Sequence, residues 1–496
     1  MSVSADSELF GASGRRKRVV VVGAGITGLS AAFKLSELLS GKNAEIKVFE
    51  ANASAGGTIK TRSIEGCLLE DGPDSFITAK SGAIDLCERL GLIDELFNTN
   101  PQSRRTLVVS GGRLHPLPEG FMLMAPSRVW PVVSSPLFSL TGKLRMTMEL
   151  LVPPLSDDRD ESLAEFVTRR LGAEVLEKVA QPMICGIYGA DPRQLSLKAT
   201  MPRFQEMERK YGSVIRGLLC MPAPAGDSGA RYSMFATLKD GLGSLIRSIE
   251  ARLPPGSIVL SRAVKDVFRD LESGSFRVVL DNDDSVRADA VIVATPAENA
   301  SKLVFSIDRR LSGWLSSIRF ASSAVLNLIY RQHDISNRMD GFGFVVPDSE
   351  NLCFNACTFT SVKFPHRASP GLVSVRLFLG GMLHKHILDC DDQFLISRAV
   401  SELGKLIRAT GEPLYRELVR HPRRMPQYDV GHLGLLERVE RRVAALPGLE
   451  IAGSSYHGVG IPDCVASGEK AAAGVYGYLC DMAPSSGGSR LEYASL

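Results

Sequence analysis

The sequence predicts an α/β chain: a Rossmann-like parallel sheet, a second mixed sheet and a helical insertion. Three observations carry that expectation. The β-branched run Val19 to Val22 enters a three-glycine turn, Gly23-Ala24-Gly25-Ile26-Thr27-Gly28, and a helix-forming stretch follows. A second glycine cluster, Gly453 through Gly458-Val459-Gly460-Ile461-Pro462, stands near the other end of the chain. Between them the pattern changes from helical periodicity over 77–210 to alternating strands from Ser323 onward.

The first unit has a physical reason at each position. Gly23 allows the tight turn, Gly25 lets the backbone approach a pyrophosphate, and Gly28 lets the helix sit close on the strand. The new helix offers free N–H groups and a positive dipole end to phosphate. A second strand, Glu45 to Phe49, ends at Glu50, an acid placed to accept hydrogen bonds from ribose hydroxyls. Just beyond it Gly56 and Gly57 repeat the glycine signal. Together these predict a dinucleotide site; a nucleotide-free βαβ unit would leave both clusters and the acid unexplained.

Strands that can complete this sheet come much later, at Ala288–Ala294 and Leu449–Gly453, which implies inserted domains. Ser257–Leu260, Val264–Phe268 and Ser275–Leu280 read as a smaller sheet. Helices are expected at Ala79–Leu90, at Ser139–Val152, and at Ser162–Leu171, where Ser162 and Glu165 form a capping-box pattern. The Pro/Gly-rich stretch 221–230 reads as a boundary. A second sheet is expected from Ser323–Tyr330, Gly343–Val346, Leu352–Thr360 and Leu372–Gly380, with an amphipathic helix at Asp392–Ala409. The resulting organisation is a nucleotide domain in three parts (15–76, 230–300, 445–482), a helical insertion (77–210) and a substrate-binding domain (301–440). At the last cluster a strand ends at Gly453 and a helix opens near Ile461 or Pro462.

Composition excludes several classes. With 496 residues, two or three domains are expected. A hydrophobic fraction of 44% with 23% charged residues is ordinary for a folded soluble protein. A net charge of +3 gives no argument for nucleic acid. Nine cysteines in so long a chain make no disulfide framework, and Cys353 with Cys357 lacks the second pair a metal site needs. Reduced thiols and no apolar run of ~18–20 residues point to a cytoplasmic protein. Residues 1–14 are polar and expected to lack order. No Ser–His–Asp arrangement or metal cluster is visible, so no catalytic side chain is assigned; His457 in the glycine turn is the one histidine that could be proposed as a base, and it is not assigned as one.

The motifs together resemble the flavin-dependent protoporphyrinogen oxidase family, with the soluble bacterial type that includes the coproporphyrinogen III oxidases as the nearest pattern. The matching stretches are Gly23 to Leu29, Glu70-Asp-Gly-Pro-Asp-Ser-Phe76, Gly186 to Asp191, Gly341 to Phe344, Ala356 to Phe359, Phe364-Pro-His-Arg367, Met425-Pro-Gln-Tyr428 and Gly458 to Cys464. The resemblance implies FAD. Gly23, Ala24, Gly25, Thr27 and Gly28 would line the pyrophosphate, with Glu50 on the adenosine ribose and Gly56, Gly57 and Thr58 nearby. Gly72, Pro73 and Asp74 would reach toward the flavin ring, Val264 would lie by the adenine, and Gly453, Val459, Gly460 and Ile461 would meet the flavin end. A substrate pocket between ring and second sheet would use Arg105 for a propionate and Val345 and Phe378 to sandwich the macrocycle. Thr358 departs from the apolar residue of plant and animal members.

The resemblance further implies oxidation of a porphyrinogen in heme biosynthesis: six electrons leave in three hydride transfers to flavin N5, with dioxygen as acceptor. One identifiable cation, Arg105, leans towards protoporphyrinogen IX; coproporphyrinogen III is the alternative. An amine oxidase or carotenoid desaturase of the same fold, and a silent FAD-binding interaction protein, are the competing readings. The segment 98–210 matches the one that docks membrane-bound members, so a peripheral contact at the inner face of the cell membrane is an expectation. Product hand-off to a ferrochelatase, or a homodimer, is the accompanying partner expectation.

Overall fold

A computed structural model describes residues 15–122, 124–220 and 234–481. The expected loose start (1–14) and the 221–230 boundary lie outside these residues.

Val19 to Val22 are almost completely buried on both faces, as the middle strand of a parallel sheet must be. The sheet has five strands in the order Ile258–Val259, Ala44–Phe49, Lys17–Val22, Ala290–Val293, Leu449–Ile451, and every pairing is parallel. Lys17–Val22 is paired on one side with the next strand of the chain and on the other with one that follows a long insertion. That reversal opens a crevice at the carboxyl ends of the strands. Ile258–Val259 corrects the expectation for Ser257–Leu260: it joins the edge of the parallel sheet, where Glu50 N–H donates to Val259 O at 3.0 Å. A strand this short carries no signal of its partner. The smaller sheet is Val264–Arg269, Phe276–Leu280 and Ser285–Ala288.

The second sheet has seven strands, in the order Tyr415–Pro426, Phe320–Arg331, Leu372–Gly380, Ala356–Phe359, Gly343–Val345, Thr106–Ser110, Arg113–Pro116. Three of these were not expected. Thr106–Ser110 and Arg113–Pro116 form a hairpin inside the stretch read as helical. Tyr415–Pro426, given no element from the sequence, carries Arg416, Glu417, Arg420, Arg423 and Arg424; it is an edge strand whose charges keep that edge from pairing with another chain. Along Leu372–Gly380, Val373, Val375, Leu377 and Leu379 pack into one core with Leu395, Ala399 and Leu403 of the Asp392–Ile407 helix. The alternate residues Ser374, Arg376 and Phe378 therefore face the other way.

The helical part packs around Phe166, Val167, Ile184 and Phe204, in a core that also takes in Val108, Val345 and Ala356 of the second sheet. Ser162 caps the Leu163–Arg170 helix with the reciprocal Glu165 bond expected of a capping box. All nine cysteines are free thiols. Among the described residues no helix is long and apolar enough to cross a membrane.

Candidate functional site

Gly23 adopts φ +98°, and a Cβ there would stand 2.8 Å from the Ala294 carbonyl oxygen. A Cβ on Gly28 would overlap the Gly23 carbonyl, so the Ile26–Leu38 helix rests directly on the strand end. Gly25 differs: a Cβ there would meet nothing within 4 Å. It opens onto free space at a helix N-terminus that no side chain caps. The second glycine pair folds against this turn. Gly56 N–H donates to Ala24 O at 2.8 Å, and a Cβ on Gly57 would lie 3.4 Å from the Gly25 Cα.

Glu50 is buried and ties the turn together. One carboxylate oxygen accepts Ala24 N–H at 2.8 Å; the other accepts Asn52 N–H at 2.9 Å and its side-chain amide at 2.5 Å. A carboxylate has about four lone-pair sites, so capacity remains for ribose hydroxyls. Thr295 stands where the turn meets the later strands. Its methyl lies 3.2 Å from the Cβ position of Gly23 and its carbonyl 4.0 Å from that of Gly453, yet its hydroxyl is buried without a partner among the described residues. Open space at Gly25, an uncapped helix end and an orphaned hydroxyl fit a bound pyrophosphate dinucleotide.

The C-terminal cluster closes the same crevice. Gly453 N–H donates to Ser467 Oγ at 3.0 Å. Ser467 belongs to the Ile461–Asp481 helix, which crosses Ile26–Leu38 in backbone contact: a Cβ on Gly468 would overlap Thr27 O and lie 3.1 Å from Ala31 N. Val459, Gly460 and Ile461 thus open this helix beside the nucleotide turn. His457 points outward to Glu440 at 2.8 Å, both exposed.

From the cradle the chain passes Thr58 to Gly72, where a Cβ would overlap the Thr58 carbonyl. Gly72 O in turn accepts a hydrogen bond from Arg376 of the seven-stranded sheet. The 70–74 segment therefore bridges the nucleotide domain and the second sheet. Two rows of residues run across the facing side of that sheet. Val108, Val345, Ala356, Phe378 and Val325 stand in register as an apolar row. The neighbouring row is polar: Thr106, Gly343, Thr358, Arg376, Asn327 and Glu417. Val345 and Phe378 belong with Tyr188 and Val459 to one apolar cluster, which joins the sheet to the flank of the glycine turn.

Under the polar row lies a buried ionic network. Asp74 pairs with Lys363 at 3.0 Å and with Arg376 at 3.4 Å, and Lys363 also reaches Ser75 Oγ at 2.9 Å. Glu70 accepts Arg367 at 2.9 Å, Thr61 at 2.7 Å and Leu242 N–H at 2.8 Å; Arg367 also donates to Thr237. Arg367 and Arg376 are 0% and 1% exposed. Burial works to raise the Asp74 pKa, but Lys363 and then Arg376 hold it well below the usual carboxylate range. Burial pushes Glu70 up against the pull of Arg367. It also pulls the Lys363 ammonium below its ordinary value, Asp74 opposing. Lys363 and Arg376 were not singled out from the sequence, and Glu70 and Arg367 entered only inside matching stretches, without a role. Their signal is a charged residue inside an apolar alternation, as at Arg376.

The remaining sites are more peripheral. Val264 opens the small antiparallel sheet, just after Arg262, whose N–H donates to Glu50 O at 2.8 Å. Arg105 immediately precedes Thr106–Ser110 and stands 3.6 Å from Asp340, with both side chains about 60% exposed. Such a pair is worth ~0–1 kcal/mol, so the guanidinium stays available to a carboxylate. A second cation, Arg203, has no ion pair among the described residues. Burial draws its pKa below the ordinary value, with the Tyr188 phenol opposing. No three His, Cys, Asp or Glu side chains among the described residues gather for a metal ion.

Comparison with known proteins adds to this geometry. The family described as flavin containing amine oxidoreductase matches residues 26–476. The coproporphyrinogen III oxidase of Bacillus subtilis (strain 168) is 34% identical over 471 residues, covering 94% of this chain and 99% of the relative. The protoporphyrinogen oxidase of Homo sapiens is 31% identical, covering 93% and 98%. A crystal structure from Exiguobacterium sp. 255-15, provisionally named a protoporphyrinogen oxidase, superposes with a TM-score of 0.83 at 31% identity, over 93% of this chain and 99% of that one.

Proposed function

The chain belongs to the flavin-containing amine oxidoreductase family, it is an oxidoreductase with FAD as cofactor, and from this premise we propose that it oxidises coproporphyrinogen III to coproporphyrin III. The observation that carries the reading is the apolar row through Val345, Ala356 and Phe378, packed with Tyr188 and Val459 beside the nucleotide turn. It offers a flat, water-excluding floor suited to a large hydrophobic ring. The relatives bearing the coproporphyrinogen name favour coproporphyrinogen III over protoporphyrinogen IX, which is the second reading.

When bound, FAD would supply a two-electron hydride acceptor at N5, used three times per porphyrin, with dioxygen as the proposed final acceptor. The chain's residues bind, orient and exclude water. The Ile26–Leu38 N-terminus and Thr295 hold the pyrophosphate, and Glu50 holds the ribose. Gly72, pinned by Arg376, and Asp74 border the ring. Val345 and Phe378 keep the macrocycle flat against the floor, while Arg105 and Arg203 receive carboxylates as charge-assisted hydrogen-bond donors. Pyrrole protons leave to solvent, so no side chain is required as base.

Steady-state kinetics on both porphyrinogens side by side, with dioxygen consumption followed, tests the proposal. A higher kcat/KM for coproporphyrinogen III supports it; a higher value for protoporphyrinogen IX selects the second reading. A yellow protein that neither substrate bleaches anaerobically overturns both.

We also propose a peripheral membrane contact. Leu140, Leu144, Met148 and Leu151 recur at helical spacing and are all exposed, with Trp130 exposed nearby. An apolar stripe of this kind marks an interaction surface. Leu144→Asp should abolish co-sedimentation with anionic phospholipid vesicles. If wild-type protein does not sediment with them, the face is left for a second copy or a ferrochelatase receiving the product.

A further inference from the structure

The Asp74 network does more than hold two domains together. Its five buried charged groups are Lys363, Arg367 and Arg376 against Glu70 and Asp74. A second group, Arg62 with Asp71 and Glu417, adjoins it: Asp71 is buried and attracts Arg376, whereas Arg62 and Glu417 are over 30% exposed and water screens them. Inside the network, Nε of Arg367 and of Arg376 are buried donors without a partner among the described residues. The unpartnered charged donors of the network are therefore both guanidinium groups. The network adjoins Gly72, the residue that touches both Thr58 of the nucleotide domain and Arg376 of the sheet. A flavin with its pyrophosphate at Gly25 and its ring toward Val459 would pass along this segment.

We propose that the Lys363–Asp74 pair sets the reduction potential of the bound flavin, with Lys363 raising it and Asp74 lowering it. The inference rests on FAD as cofactor and on the ring lying beside residues 70–74, but not on the identity of the substrate. Two-electron reduction places negative charge on the ring near N1. A fixed cation in a buried, weakly screened position stabilises that charge, and a fixed anion opposes it. Lys363 acts as a positioning residue for the field and takes no part in bond making. Arg376, 3.4 Å away on the other side, still faces Asp74 when the lysine is lost. Loss of the lysine thus removes a cation while a counter-ion for Asp74 stays in place.

The test is a potentiometric titration of the purified, FAD-loaded full chain against a reference dye, with no porphyrinogen present. Lys363→Met should shift the reduction equilibrium about tenfold toward oxidised flavin, equivalent to ~30 mV for two electrons. Lys363→Arg should restore the wild-type value. Asp74→Asn should move it the opposite way by a similar factor, and the double variant should return close to wild type. A structural defect would not produce opposite signs in one pair. If Lys363→Met fails to retain flavin, Asp74→Asn carries the test alone, and an unchanged or lowered potential there overturns the proposal. An unchanged potential in a flavin-loaded Lys363→Met protein also overturns it. Inactivity on both porphyrinogens would refute the substrate reading while leaving these potentials to be judged on their own.

Discussion

Replacing Gly468 with alanine perturbs the helix crossing on which the nucleotide turn rests. The added methyl would overlap the Thr27 carbonyl and lie 3.1 Å from Ala31 N, both backbone atoms that cannot rotate away. The helices must separate by on the order of 1 Å for the contact to reach an ordinary C···O distance of ~3.3 Å. Overpacking of this kind costs ~1–3 kcal/mol. Glycine-to-alanine replacement within a helix independently contributes about 1 kcal/mol of stabilisation. Gly477 on the same helix separates the two effects, because a Cβ there meets nothing within 4 Å. Gly477→Ala should therefore gain the propensity alone, and Gly468→Ala should fall below it by ~1–3 kcal/mol, a Tm difference of roughly 2–4 °C per kcal/mol. The assay is thermal unfolding followed by release of flavin fluorescence and, separately, by circular dichroism. Because Thr27 lies in the first helical turn, Gly468→Ala should also release flavin at lower temperature than it unfolds. A Gly468→Ala protein that melts at or above Gly477→Ala would refute the reasoning.

Three further outcomes follow from the same structure. Phe378→Ala should raise the porphyrinogen KM about tenfold, the equivalent of ~1.4 kcal/mol, while leaving flavin content unchanged in the absorption spectrum. Arg367→Met leaves Glu70 buried without its cation and should destabilise the fold by ~3–5 kcal/mol, read by denaturant unfolding. Burial raises the Glu450 pKa to about 7, with Lys470 opposing. An acid raised in the folded state lends stability that is complete below the unfolded pKa and lost as pH rises through about 7. Tm should therefore fall between pH 5.5 and 8 in the wild type, and Glu450→Gln should flatten that slope.

Local spacing made the nucleotide turn readable: Gly23, Gly25, Gly28 and Glu50 act through neighbours in one βαβ unit, so their order in the chain is their order in space. The capping box at Ser162 and Glu165 was readable for the same reason. The ionic network was not. Asp74 entered through the resemblance as a flavin neighbour, but Asp74 and Lys363 are 289 positions apart and Glu70 and Arg367 are 297 apart, and no local spacing pairs these charges. Arg376 lay in a segment correctly seen as alternating, but alternation tells which residues share a face and not what that face meets. The Tyr415–Pro426 strand was hidden by its charges, and Ile258–Val259 by its length. Val345 and Phe378 entered through the resemblance; only the strand register showed that Ala356 stands between them.

The helix crossing at Thr27 and Gly468 also has a temporal meaning. A nascent chain exposes the Gly23 turn first, and residues 461–481 leave the ribosome only after the other described elements. Until then the crevice lacks one wall. The yellow chromophore can be captured firmly only once that helix has emerged, so a transcript truncated before codon 461 would yield a colourless polypeptide, however intact its glycine turn.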